Sequence, residues 1–323
     1  MAWVITDGKA GMEVQCLGVA EALGLRPVIK RVVLRPPWRL VSPYIRVRLD
    51  RCAAPTGDPV SPPWPDIVIA TGRQSIAPAL AARRGSRGRC FLVQLQNPVI
   101  APRHFDLIAV PEHDRLRGGN VVTTVGAPNR VTRARLDEAA ARHGARLEAL
   151  PRPRVAVLVG GGNSAYRLSE ARMAAIADAV AAMARNEGAG LMVTASRRTG
   201  PANEATLRSR LAGLPAEIWD GTGDNPYFAY LALADVVLVT VDSINMVSEA
   251  ATTGTPVMTL DLDGGSAKFA RFHGNLRGRG VTRPFTGRLE RWAYQPLADA
   301  AKVADEVRRR LAVRQAGAGA IPD

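Results

Sequence analysis

Short apolar, β-branched runs recur along this chain, each closed by a glycine-containing turn and followed by apolar residues at helical spacing, and that rhythm leaves few folds open. WVIT (3–6) runs through DGKAG into a helix expected near 15–23, and DIVIAT (66–71) runs through GRQS into a helix over 76–84. FLVQLQ (91–96), LIAVP (107–111) and VVTTVG (121–126) read as further strands, and 132–147 as a helix rich in Arg and Ala. Such βαβ units build parallel sheets. After the proline-punctuated stretch Leu150-Pro151-Arg152-Pro153 the rhythm restarts. VAVLVGGGNS (155–164), a helix over 169–185, LMVTASRRT (191–199), a helix over 203–211 and EIWDG (217–221) follow. DVVLVTVDS (235–243), a helix from about Asn245, TPVMTLDL (255–262) and an amphipathic helix over 296–313 complete the series, with AGAGAIPD expected to fray.

The expected fold class is therefore α/β, two tandem Rossmann-like doubly wound domains facing a cleft, and a length of 323 residues accommodates both. The expected domains are 1–150, basic and on the acceptor or membrane side, and 151–290, on the nucleotide-sugar side. Residues 291–323 are expected to form a terminal helix and tail that pack back on the first domain. Asp7 and Lys9 interrupt the first apolar run too early for a secretory signal, and no uncharged apolar run reaches 18 residues, so no membrane span is expected. Three cysteines (Cys16, Cys52, Cys90) without a CxxC pair support neither a disulfide framework nor a thiolate zinc site, which suits a cytoplasmic setting. His104, His113, His143 and His273 form no HxH or HExxH pattern, so neither a metal nor a tightly held cofactor is expected.

The charge is lopsided. Of 43 Lys and Arg against 29 Asp and Glu, residues 1–150 hold 22 against 12, an excess of ten, whereas the remainder holds an excess of four. A field of this sign attracts phosphorylated substrates, anionic lipid or nucleic acid. With 5% aromatic residues and no helix-turn-helix, zinc-finger or RNP-like pattern, nucleic acid ranks last. Between residues 26 and 51 stand eight cations and one anion, Asp50, interleaved with Trp38, Leu40, Val41, Tyr44, Ile45, Val47 and Leu49. This segment suits the surface of an anionic membrane, or a solvated insertion covering a domain edge.

Ligands of open α/β sheets bind beyond the carboxyl ends of the strands, so the loops there are the candidate sites. Asp7-Gly8-Lys9-Ala10-Gly11 combines glycines with a carboxylate and an amine, and serves equally as a plain βα turn. Gly160-Gly161-Gly162-Asn163-Ser164 removes side chains where backbone would meet a phosphate or sugar nucleotide, and Asn163 or Ser164 can cap the helix that follows. Ser196-Arg197-Arg198 offers two guanidiniums to a diphosphate, or to solvent. Asn225 and Tyr227, in Gly223-Asp224-Asn225-Pro226-Tyr227, form a polar turn suited to a base. In Asp242-Ser243-Ile244-Asn245-Met246-Val247-Ser248-Glu249, Asp242 and Ser243 leave a buried strand, and Glu249 lies where a carboxylate can accept two bonds from a ribose diol.

WVITDGKAGMEVQCLGVAEALGL, WPDIVIATGRQS, VQLQNP, TASRRT, GDNPYFAYLALAD and TVDSINMVSEAATTGTPV together resemble the mitochondrial-fission family named for elongated mitochondria in plants, which has many bacterial members. The second half is also similar to the donor-binding domain of GT-B glycosyltransferases such as the peptidoglycan N-acetylglucosaminyltransferase. That resemblance implies a GT-B-like fold, Glu249 as the acidic residue at the donor ribose, and Gly161, Gly162, Asn163 and Ser164 as the diphosphate-side loop. Where the peptidoglycan enzyme has a histidine after its first glycines, this chain has Asp7, Lys9 and Glu13.

Two functions follow as expectations. One is a metal-independent glycosyltransferase that uses a nucleotide-diphosphate sugar and an anionic or lipid-linked acceptor. Its candidate catalytic residues are Asp7, or in second place Glu13, as base and Arg197 or Lys9 at the leaving diphosphate. The other, implied by the family, is a non-catalytic GT-B-shaped adaptor, peripheral on the inner face of a membrane, that recruits a dynamin-like GTPase or another protein. An epimerase with tightly held NAD is disfavoured, since neither glycine loop has GxGxxG spacing and no Tyr-xxx-Lys pair is present.

Overall fold

A strand that is apolar along its whole length is stable only where both faces of its sheet are covered, which is how parallel sheets are built. The computed structural model, which describes residues 1–44 and 49–318, has two such sheets. Contacts divide the chain into one unit of Met1–Arg130 with Ala298–Asp323 and a second of Val131–Leu297.

In the first unit the strands are β1 (Ala2–Thr6), β2 (Val28–Arg31), β3 (Ile67–Thr71), β4 (Phe91–Leu95), β5 (Leu107–Pro111) and β6 (Val121–Thr124). All are parallel, in the order β2-β1-β3-β4-β5-β6. Ile5 pairs with Lys30 on one side and Ala70 on the other. The helices are α1 (Ala10–Ala22), α2 (Trp38–Val41), α3 (Leu49–Cys52) and α4 (Ile76–Gly85). One sheet face buries Val4, Ile69 and Val93 with Cys16 and Val19 of α1, while the other buries Ile5, Val68 and Leu92 with Ile76 and Ala79 of α4.

The second unit holds α5 (Arg133–Leu147), β7 (Arg154–Val159), β8 (Tyr166–Arg167), α6 (Glu170–Glu187), β9 (Gly190–Ala195), α7 (Pro201–Arg210) and β10 (Ala216–Ile218). It continues with α8 (Tyr227–Leu233), β11 (Val236–Thr240), α9 (Ile244–Thr252), β12 (Val257–Leu260), β13 (Asp263–Gly264), α10 (Ala267–Gly278) and β14 (Thr282–Pro284). Its main sheet is parallel in the order β10-β9-β7-β11-β12-β14, and β8 and β13 form a small antiparallel pair.

Two expectations are corrected, and a third is filled in. The helix over 132–147 groups with the second unit, so the chain changes unit near Val131, ahead of the proline-rich stretch at 150–153. Its apolar side is narrow, and polar pairs hold it: Arg142 and His143 reach Asp224, each at 3.2 Å, Arg146 reaches Glu217 at 3.0 Å, and Arg135 lies over the Phe228 ring. Within the basic stretch 26–51 the described residues form three separate elements. Val28–Arg31 is an edge strand whose cations blunt its open side, and Trp38–Val41 is a helical turn, while Arg46, Arg48, Ile45 and Val47 lie outside the described residues. Neither Asn163 nor Ser164 caps α6, because Ser169 does, its Oγ accepting from Arg172 N at 3.2 Å.

The last helix, α11 (Asp299–Ala318), belongs to the first unit, where Val303 and Val307 join the cluster around Cys16 and Val19. Asp299 fastens its start: Oδ1 accepts from part-buried Val125 N and Oδ2 from buried Gly126 N, both at 2.8 Å. Asp299→Ala strands one buried and one part-buried donor and should cost about 1–3 kcal/mol. A fall in the urea midpoint of the first unit's unfolding checks it, and an unchanged midpoint would show that α11 is held by its apolar face alone. Among the described residues no helix is long and apolar enough to cross a membrane, and Cys16, Cys52 and Cys90 are buried.

Candidate functional site

The second sheet's strand order reverses between β7 and β11: β9 and β10 extend it one way, β12 and β14 the other. At such a switch point the loops leaving two adjacent strands diverge and open a crevice. Here they are Gly160-Gly161-Gly162 after β7 and Val241-Asp242-Ser243 after β11.

Asp242 ties these loops together with a wholly buried carboxylate. Oδ1 accepts from Thr240 Oγ1 at 2.7 Å, and Oδ2 accepts from Gly161 N at 3.0 Å and pairs with Arg198 Nη2 at 2.8 Å. Thr240 Oγ1 in turn accepts from Gly160 N at 2.7 Å. A Cβ on Gly160 would overlap the Asp242 carboxylate, and one on Gly161 the backbone carbonyl of Arg198. These two glycines are thus required by the protein's own packing. Only Gly162 of the three would accept a Cβ without a clash, its nearest neighbour being Tyr166 O at 3.8 Å, an ordinary contact.

Asn163 Oδ1 accepts from Ala165 N and Tyr166 N, and its Nδ2 donates to Asp242 O at 3.0 Å, which fixes the loop while Ser164 stays exposed. Arg198 is turned inward, to Asp242 and to Gly162 O at 3.3 Å, and Ser196 Oγ accepts from Arg198 N at 3.2 Å. Arg197 points into solvent. Of the two arginines, one shapes the loop and the other is available to a ligand.

Ser243 caps α9, its Oγ accepting from Met246 N at 3.3 Å, and Asn245 lies half-buried in the first turn. One turn on, Glu249 is buried and accepts from Tyr227 Oη at 2.6 Å. Burial pushes the Glu249 carboxyl up to about 7, with the Tyr227 bond opposing. The same burial, with Glu249 alongside, drives the Tyr227 phenol well above its ordinary value. Asn225 Oδ1 accepts from Tyr227 N at 3.0 Å, so the 223–227 turn is carried to α9 through Tyr227. Beside the turn lies a cavity of about 240 Å³ between Arg142 and His143 of α5 and Asn225 and Phe228.

Several supporting residues carry no local signal. Thr199 Oγ1 donates to Gly160 O, and Nε2 of buried His273 donates to Val241 O at 2.8 Å, just ahead of Asp242. Tyr166 of the small β8–β13 pair meets Phe269 edge to face at 5.0 Å. Each partner is distant in sequence, so only an exposed-aromatic or buried-histidine rule would flag them.

In the first unit the loop after β1 is internally neutralised. Asp7 Oδ2 accepts from Lys9 Nζ at 2.7 Å, and Gly8 takes a left-handed φ of 81°. Glu13, in the first turn of α1, holds Arg31 of β2 through two bonds, at 2.9 and 2.8 Å. Asp7 and Lys9 are brought together, and Glu13 is occupied. Among the described residues no three His, Cys, Asp or Glu side chains are grouped to hold a metal.

Two Rossmann-like parallel units with glycine loops at the switch point define a GT-B-like α/β protein. The model of the mitochondrial fission ELM1 family matches residues 10–311, and the chain belongs to that family. Mitochondrial fission protein ELM1 of Arabidopsis thaliana is 34% identical over 277 residues, covering 77% of this chain and 65% of the relative, so this chain matches somewhat less than two thirds of its length. An uncharacterised Rickettsia prowazekii protein is 24% identical over 361 residues, covering 97% of this chain and 99% of its own. Among solved structures, UDP-GlcNAc 2-epimerase from Methanocaldococcus jannaschii superposes with a TM-score of 0.58 at 11% identity, covering 96% of this chain and all of that one. The same enzyme in complex with UDP-GlcNAc and UDP gives 0.54 at 13% identity, over 97% of this chain and 100% of that one. At these identities the likeness is one of fold.

Proposed function

We propose that the second unit binds a nucleoside-diphosphate sugar and that the chain is a metal-independent GT-B-type glycosyltransferase acting on an anionic or lipid-linked acceptor. The observation that carries this reading is the switch point between β7 and β11, where the glycine loop after β7 leaves Gly162 exposed with room for a Cβ and the loop after β11 leads into α9, which holds Glu249. Arg197, Ser164 and the α9 amides suit a diphosphate, and Glu249 suits the ribose hydroxyls. Asn225, Tyr227 and Asn245 border the same turn, while Asp242, Ser196, Ser243 and Arg198 hold the loops. The Methanocaldococcus neighbour, which binds UDP-GlcNAc and UDP, lends the ligand class support.

In an inverting transfer the acceptor oxygen attacks the anomeric carbon, the bond to the diphosphate oxygen breaks, and the acceptor proton passes to a carboxylate. Asp7 is the candidate base: Lys9 Nζ engages only its Oδ2, whereas the Arg31 guanidinium holds both oxygens of Glu13. Arg197 of the second unit supplies positive charge for the leaving diphosphate.

Thermal shift against UDP, ADP, GDP, CDP and UDP-GlcNAc, with and without EDTA, tests this. At about 100 times its dissociation constant a ligand that binds only the native state adds about 2.7 kcal/mol, a rise of several degrees. One base should raise the Tm irrespective of EDTA, and Arg197→Ala should reduce the rise. No shift with any nucleotide at millimolar concentration would sink the reading.

The exposed basic stretch within 26–51 favours a second one: a non-catalytic adaptor on an anionic membrane that recruits a protein such as a dynamin-like GTPase. In that case vesicles bind and nucleotides do not.

A further inference from the structure

Every large apolar side chain that is prominently exposed among the described residues belongs to the first unit, and none to the second. Val33, Leu40, Val41, Tyr44 and Val99 all lie in segments that leave the carboxyl ends of β2 and β4. In a parallel sheet such segments emerge at one edge. Leu40, Tyr44 and Val99 are 77%, 59% and 62% exposed.

Two devices hold this apolar rim in place. Arg73, in the turn after β3, donates from Nη2 to Leu40 O at 3.2 Å and from Nε to Ser42 O, while Ser42 Oγ donates to Arg73 O at 2.8 Å. That clamp pins α2 over the end of β3, next to β4, and adjacent strands stand about 4.8 Å apart. The second device is strain. Val99 sits at φ 66°, a left-handed conformation costly for a β-branched residue. Asn97 holds it there, its Oδ1 accepting from Val99 N at 2.9 Å and its Nδ2 donating to Asp114 at 3.1 Å. A strained valine held out into solvent contributes nothing to the core, which leaves its side chain as the reason for it.

The charge around the rim selects its partner. No acidic residue occurs from Arg26 to Tyr44, while Arg35 and Arg39 flank the apolar side chains and are exposed. The geometry points to an anionic bilayer docked on the carboxyl edge of the first unit, with Leu40, Val41, Tyr44 and Val99 entering the headgroup region and Arg35 and Arg39 meeting lipid phosphates. This rests on the membrane reading for its class of partner and adds the face, including a loop at Val99 far outside the basic stretch. It does not depend on nucleotide binding.

The test is co-sedimentation of the full chain with vesicles of phosphatidylcholine alone or with 30 mol% phosphatidylglycerol, a composition of about one anionic lipid in three. Wild type should bind only the anionic vesicles and release at high salt. Leu40→Asp with Val41→Asp should weaken partition about tenfold or more, and Arg35→Ala with Arg39→Ala by a similar factor. Val99→Gly is the sharper variant: relieving the left-handed strain should raise the Tm while removing the apolar group weakens vesicle binding. Wild type that ignores anionic vesicles would overturn the membrane reading and this inference together. Wild-type binding that survives in the Leu40/Val41 and Val99 variants would overturn the face alone.

Discussion

Glu249→Gln should make the protein more stable above pH 7 and, at the same pH, less able to bind nucleotide. Burial holds the native carboxyl at about 7, above its ordinary value, so from about pH 4.5 to 7 the native state keeps a proton that the unfolded chain has lost. Stability from this group is therefore greatest below that window, falls as pH rises through it, and above pH 7 stands lower by about 3 kcal/mol. Glutamine keeps an acceptor for Tyr227 Oη and removes the buried charge. Melting curves of variant and wild type should nearly coincide at pH 5 and separate by several degrees at pH 8, the variant higher. Calorimetric titration of the nucleotide identified by thermal shift should show at least a tenfold loss, since an amide makes weaker bonds to ribose hydroxyls than a carboxylate does. A variant that melts lower than wild type at pH 8 would place Glu249 in the structural framework with Tyr227.

A comparison among neighbouring glycines should separate loop architecture from ligand space. In Gly161→Ala the new methyl overlaps the Arg198 carbonyl, which is backbone and cannot swing aside, and in Gly160→Ala it overlaps the Asp242 carboxylate. Either change should cost about 3 kcal/mol or more and loosen the Asp242–Arg198 pair. Gly162→Ala meets nothing nearer than Tyr166 O at 3.8 Å, so its Tm should match wild type. If a phosphate lies over Gly162, that variant loses nucleotide affinity without losing stability. Full nucleotide affinity in Gly162→Ala would move the diphosphate off this loop.

What the chain reveals locally and what it conceals follow from the range of the forces involved. Both parallel sheets were legible because a strand buried on two faces must be apolar throughout, as in Val236–Thr240, and the turn after it must bend without a side chain in the way. Val28–Arg31 escaped because an edge strand carries cations that read as surface, and α10 because Ala267–Gly278 breaks its few apolar residues with two glycines and five polar side chains. The glycines after β7 were visible, whereas the reason for two of them was not: Asp242, about eighty residues later, fills the space they leave.

Sequence by itself determined the α/β rhythm, the crevice-forming loops and the concentration of positive charge in the first half, since each depends on residues a few positions apart or on composition. Only the tertiary structure decided that Arg198 turns inward and Arg197 outward, that Glu13 is taken by Arg31, and that Glu249 meets Tyr227. It alone gathered Leu40 and Val99 onto one sheet edge. Those outcomes depend on which distant strands pair and what they exclude from water, and hydrogen bonds and burial between residues 18 to 81 positions apart leave no periodic trace in the chain.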